Sequence, residues 1–119
     1  MSVYMEPNYR TYKAEVDLSG KCFHFVKHGT DDNQVDLAGA NEQSRGILMN
    51  DDAKINCGAE VAMPNGGAKI ILAAALSKGA YVKSDANGQA VAVASKAEAQ
   101  ARLEKSGVIG DIVECIVMP

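Results

Sequence analysis

Tryptophan is missing from this 119-residue chain, and tyrosine and phenylalanine together supply only 5% of it. A core built with so few rings must be packed from Val, Ile, Leu and Ala, and it will be thin. Disulfide chemistry is also scarce. The three cysteines, Cys22, Cys57 and Cys115, are odd in number and far apart, with no C-x-x-C pair. That excludes a full disulfide framework and favours small hydrophobes in a reducing compartment. Positive charge is not in excess either: 12 Lys and Arg stand against 15 Asp and Glu, a formal charge of −3. Nucleic-acid binding, which needs a clustered basic face, is disfavoured. No run approaches the ~20 apolar residues of a membrane helix, so no membrane partner is expected. The opening residues Met1 to Pro7 show neither a basic n-region nor an apolar h-region, which points to production in the cytoplasm.

What is present is a series of short apolar segments separated by turn residues. Length allows one domain. Residues 1–12 read as an extended arm, because Pro7, Asn8 and Arg10 interrupt any period while Tyr4, Tyr9 and Tyr12 supply amphipathic rings. The compact domain is then 13–119. Ala14, Val16 and Leu18 alternate with Lys13, Glu15 and Asp17, the pattern of a half-buried strand, and Lys21 to Lys27 makes a second strand hairpinned to it. Thr30 to Ser44 is a polar loop with a short apolar excursion at Val35-Asp36-Leu37. Two further hairpins are predicted. One turns at Pro64-Asn65-Gly66-Gly67, between Ala59–Met63 and Ala68–Leu72; the other turns at Asp85-Ala86-Asn87-Gly88. Ser95-Lys96-Ala97-Glu98 fits a capping box and predicts one helix, over residues 95–106, before the stop at Gly107. Asp111 to Met118 reads as a buried last strand. Gly58, Gly79 and Gly110 each stand just before a strand-like segment, like repeated corners of a folded-over sheet. The fold class is mainly β: a small β-barrel or β-clip (β-tulip-like) domain with one short helix in its second half and an extended N-terminal arm.

No catalytic signature is present: no G-x-S-x-G elbow, H-E-x-x-H pair, P-loop or G-x-G-x-x-G. Cys22, His24 and His28 are the best metal candidates, since Cys22 and His24 share a strand face. His28 falls beyond the strand end, and the trio reads better as edge histidines beside a buried thiol. Asp31, Asp32 and Asp36 lack calcium-loop spacing and read as a solvated loop. The expectation is therefore a protein that is not an enzyme, with no catalytic residues, no metal and no cofactor. The candidate partner-binding residues are Tyr4, Pro7, Tyr9, Arg10 and Tyr12 of the arm, which can add as a strand to a partner's sheet edge. A β-clip or β-barrel module for a small ligand or glycan is the alternative.

The second half carries a further signal. Arg45-Gly46-Ile47-Leu48-Met49-Asn50, Gly58-Ala59-Glu60-Val61-Ala62-Met63 and Gly66-Gly67-Ala68-Lys69-Ile70 are followed by Leu76-Ser77-Lys78-Gly79-Ala80-Tyr81-Val82-Lys83-Ser84-Asp85-Ala86-Asn87-Gly88-Gln89-Ala90-Val91 and Gly110-Asp111-Ile112-Val113-Glu114. This series resembles the head decoration, or capsid cement, proteins of tailed phages over roughly residues 45–93 and 107–117. It departs from the pattern at Ala80, where that family commonly has Asp, and the first 40 residues do not align. The resemblance implies a non-catalytic virion protein on the outer face of the expanded icosahedral head. Its partner would be the major capsid protein; it would sit there as a homo-oligomer, commonly a trimer, and stabilise the head.

Overall fold

From Gly58 to Ala62 and from Ile112 to Val117, buried and exposed side chains alternate, as they must in strands with one face on a core. The computed structural model describes residues 8–40 and 42–118, and shows ten such strands. Five of them, β1 (Tyr9–Ala14), β2 (Phe25–His28), β3 (Gln34–Leu37), β4 (Gly46–Leu48) and β5 (Gly58–Ala62), close into a barrel in the order β1-β3-β2-β4-β5. The others are β6 (Gly67–Ile71), β7 (Tyr81–Ser84), β8 (Ala90–Ala92), β9 (Ala101–Leu103) and β10 (Ile112–Val117). They form a second sheet in the order β6-β10-β9-β7-β8. Its two ends come together, because Leu72, just past β6, bridges Ala90 of β8. The mainly-β barrel class expected from the sequence is the observed one.

Two clusters make the core. Tyr12, Ala14, Leu18, Val26, Val35, Leu48, Ala59 and Val61 fill the barrel. Phe25, Ile47, Ile70, Leu72, Val82, Leu103, Cys115 and Val117 join the barrel to the second sheet. In β2 and β4, neighbouring residues serve opposite clusters: Val26 and Leu48 face the barrel, Phe25 and Ile47 the second sheet. That is why each strand buries two consecutive apolar residues, Phe25-Val26 and Ile47-Leu48, rather than every second one.

Several expectations are corrected. Residues 9–12 are not an arm but the start of β1, paired antiparallel with β5 from Tyr9↔Ala62 to Lys13↔Gly58. Tyr12 and Ala14 drive this by burying on one face. The strand ends at Ala14 rather than Leu18, leaving Val16 41% exposed. The chain then turns at Asp17, whose carboxylate accepts from the Ser19 N–H and hydroxyl at 3.0 and 2.6 Å. The predicted hairpin between the first two strands is replaced by longer-range pairing: β1 runs parallel to β3, and β2 lies antiparallel to β3 and β4. Cys22 and His24 precede β2, in a turn where Phe23 takes a φ of 68°.

The Pro64–Gly66 turn is present, with Asn65 at φ 69°. It carries the chain from barrel to second sheet, however, since β5 pairs with β1 and β4 while β6 pairs with β10. The helix expected over 95–106 shrinks to one 3₁₀ turn, Lys96–Glu98, in which Ser95 Oγ accepts from the Ala97 N–H at 3.2 Å. Beyond it, Ala99, Ala101 and Leu103 bury at a spacing of two, and β9 forms. Burial overrides the helix propensity of alanine. The hairpin at Asp85–Gly88 is as expected, joining β7 and β8 with Ser84 opposite Ala90. Gly79 and Gly110 precede β7 and β10 at φ 85° and 86°, a backbone state that favours glycine. In β10 the buried set is Val113, Cys115 and Val117, with Ile112 half exposed.

Candidate functional site

Tyr12 closes one end of the barrel. Its ring is 4% exposed, and three side chains from distant parts of the chain converge on it. Arg10, two residues earlier on the same face of β1, sets its guanidinium carbon 5.4 Å from the ring centroid. The Arg45 guanidinium carbon, from the turn leading into β4, lies 5.9 Å from the same centroid, and its Nε donates to the phenolic oxygen at 2.8 Å. His28, the last residue of β2, meets the ring edge-on at 6.4 Å between centroids. Cations over an aromatic face are attracted by its quadrupole, which holds both arginines at the mouth. A groove of about 470 Å³ opens there, bordered by Arg10, Tyr12, His28, Asp31, Asp32 and Arg45. The aspartates sit on the loop before β3, fixed by the Lys13 N–H donating to the Asn33 carbonyl at 2.7 Å.

Arg45 also borders a second groove of about 400 Å³ between barrel and second sheet, beside Glu42, Lys83, Glu98, Gln100 and Met118. Here the loop before β4 is tied down by its own polar groups. Glu42 pairs with Lys27, and its other carboxylate oxygen accepts from the Gly39 N–H at 2.7 Å. The Lys27 hydrogen bond, then the Gly39 bond, hold the Glu42 carboxyl below its ordinary value, while Glu42 raises Lys27. Gln100 spans the two sheets, donating to the Glu42 carbonyl and accepting from the Ser84 N–H, both at 2.9 Å.

The arm candidates are now divided. Tyr9 is an exposed strand residue at 46%, Arg10 lies at the groove, and Tyr12 is the buried ring beneath it. Tyr4 and Pro7 lie outside the described residues. Because β5 already takes up one side of β1, residues 9–12 are not a free strand. Arg45 and His28 joined the site without any local signal, since Arg45 is 33 positions from Tyr12. His24 turns away, its Nδ1 3.1 Å from the Cys22 carbonyl oxygen. Among the described residues, no three His, Cys, Asp or Glu side chains are grouped to hold a metal. Burial pushes the Cys115 thiol up to about 12, and burial followed by the Asp51 charge raises Cys22. Both favour the protonated form, a poor nucleophile. Cys57 is exposed, unlike the buried or half-buried small hydrophobe expected of each cysteine. A separate apolar tip, Val108, Ile109 and Ile112, projects where the chain enters β10.

This architecture has a solved counterpart in the N base of head fiber gp8.5 of bacteriophage phi29, at a TM-score of 0.73. The fold is similar to that of a phage head-fiber base. The likeness covers 92% of each chain at 12% sequence identity, so it spans both the barrel and the second sheet. No protein-family profile matches the chain, and no curated protein sequence does. The resemblance to head decoration proteins therefore rests on the residues quoted for it, and the structural neighbour is a phage head protein of another kind.

Proposed function

We propose that this chain is a non-enzymatic structural protein of a phage head, bound to the outer face of the capsid shell and stabilising it there. The observation that carries the reading is the fold shared with the phi29 head-fiber base over nearly the whole of both chains. The decoration-protein motifs at Gly46–Asn50 and Leu76–Val91, read without any structure, point to the same place in a virion. The partner is the major capsid protein, and the protein acts as a homo-oligomer, with a trimer as the expected form on an icosahedral lattice. It reaches the virion from the host cytoplasm. Tyr9 and Arg10, which are exposed on β1, are the contact residues among the described ones.

The test is cryo-electron microscopy of expanded heads of the phage that encodes the chain, stripped of this protein and then mixed with it. Ordered density for the domain at repeated positions on the outer surface is expected, with heads that resist heat better than bare ones. Density inside the shell, or no binding at saturating protein, would remove the reading.

A further inference from the structure

Arg10 and Arg45 share one aromatic ring, at 5.4 and 5.9 Å from its centroid, yet neither forms an ion pair among the described residues. Two guanidiniums brought to the same mouth repel one another, and the ring quadrupole offsets this only in part. Arg45 uses Nε on Tyr12, which leaves the terminal N–H groups of its fork. His28 lines the same groove. Guanidinium N–H pairs match the two oxygens of a carboxylate, and such charge-assisted bonds are among the stronger polar contacts available. Asp31 and Asp32 line the same groove, and their charge disfavours a chain of phosphates more than a single carboxylate held by both arginines.

The geometry points to a carboxylate-binding site at the barrel mouth, where Arg10 and Arg45 receive a single Asp or Glu side chain of a partner protein. Tyr12 is a positioning residue here: it orients Arg45 through its phenolic oxygen and contacts no ligand. The inference rests on the head-surface reading only for who the partner is, not for the chemistry.

The experiment uses the full chain and needs no phage head, so its failure is distinguishable from failure of the head-surface reading. The Nε–Hε signals of the arginines are followed by NMR during titration with three probes: the blocked tripeptide Gly-Glu-Gly, its Gly-Gln-Gly counterpart, and inorganic phosphate. The expected result is a saturable shift of the Arg10 and Arg45 signals with the glutamyl peptide. Binding should be about tenfold weaker with the glutaminyl peptide, the scale of one lost charge-assisted hydrogen bond. In Arg10→Gln with Arg45→Gln, which lacks those two signals, the backbone-amide shifts that the glutamyl peptide causes around residues 10 and 45 in the native chain should be absent while circular dichroism and melting stay those of a folded barrel. Tyr12→Phe keeps the ring but frees Arg45, and should weaken peptide binding without abolishing it. No saturable shift, equal response to both peptides, or tighter binding of phosphate would overturn the assignment.

Discussion

Arg45 donates its Nε hydrogen to the phenolic oxygen of Tyr12 across 2.8 Å, tying the turn before β4 to the strand that starts the barrel. Tyr12 is buried to its tip by this contact rather than displayed. Its ring contributes packing beneath the groove, and its hydroxyl aims a cation above it. Tyr12→Phe should cost about 1 kcal/mol, the usual net worth of such a hydrogen bond. Tyr12→Ala should cost about 3–5 kcal/mol through the cavity left in the barrel. Urea unfolding of the two variants measures both, and near-equal losses would contradict the division of labour.

Gly46 sits where β4 approaches β5 too closely for any side chain. A Cβ there would lie 2.1 Å from the Ala62 carbonyl oxygen and 2.7 Å from Val61 Cγ1. Backbone is the obstacle, so no rotamer relieves it. Gly46→Ala should destabilise by about 3 kcal/mol or more, the upper end for overpacking. Gly58→Ala meets nothing nearer than Thr11 Cγ2 at 3.5 Å, an ordinary contact, and should be tolerated. Equal melting temperatures for the two variants would be inconsistent with the β4–β5 approach.

The Glu42–Lys27 pair predicts an acid-sensitive increment of stability. Glu42 titrates below its ordinary value of 4.5, so its contribution is present above that value and is lost as pH falls through the lowered one. Lys27 titrates above 10.5, so its share is present below that value and is lost as pH rises through the raised one. Between those limits the pair contributes steadily, though modestly, because both side chains are partly exposed. The gap in urea midpoint between wild type and Glu42→Gln should be constant near neutral pH and close in strong acid. A gap that widens on acidification would reverse the sign of the argument.

Thiol reactivity should separate the three cysteines. Cys57 is exposed, Cys22 intermediate and Cys115 buried at 1%. An aromatic disulfide reagent should modify Cys57 first and Cys22 more slowly. Cys115 should react only as fast as the domain unfolds, since its thiol is both enclosed and pushed up to about 12. Rapid modification of Cys115 in native buffer would place it outside the shared core.

Deleting residues 1–12 tests the first strand. As an arm, that segment would be dispensable for folding. As the start of β1 it supplies Tyr12 to the barrel core and the backbone partners of Ala59 to Ala62. The truncated chain should therefore lose its cooperative thermal transition, monitored by circular dichroism. A normal transition would restore the arm.

Much of the architecture follows from local chemistry that a sequence displays openly. Short apolar segments beside turn residues marked β5, β6 and β7, the apolar close of the chain marked β10, and the Asp85–Gly88 turn marked the β7–β8 hairpin. A turn residue's φ is set by sterics within a few bonds, so Asn65, Gly79 and Gly110 declare a bend wherever they stand. The candidate site was legible only in its β1 half, Arg10 and Tyr12. His28 and Arg45 reach it through barrel closure, which no spacing along the chain encodes.

What a bend joins is a different matter. Pro64-Asn65-Gly66 has the chemistry of a hairpin turn, yet the strands it connects go to different sheets, because β5 buries Ala59 and Val61 in the barrel while β6 buries Ile70 with the second cluster. Ala97 to Leu103 has helix-forming composition, and its spacing of two at Ala99, Ala101 and Leu103 prevails only once β7 and β10 stand on either side to pair with it. The sequence by itself determined the β class, most strand positions and the corners. Tertiary structure alone decided the strand partners beyond the β7–β8 hairpin, barrel closure and the meeting of Arg10, Tyr12, His28 and Arg45. The physical reason is range: backbone sterics and side-chain alternation act over a few residues, whereas partner choice depends on which apolar faces can be buried together across the whole chain.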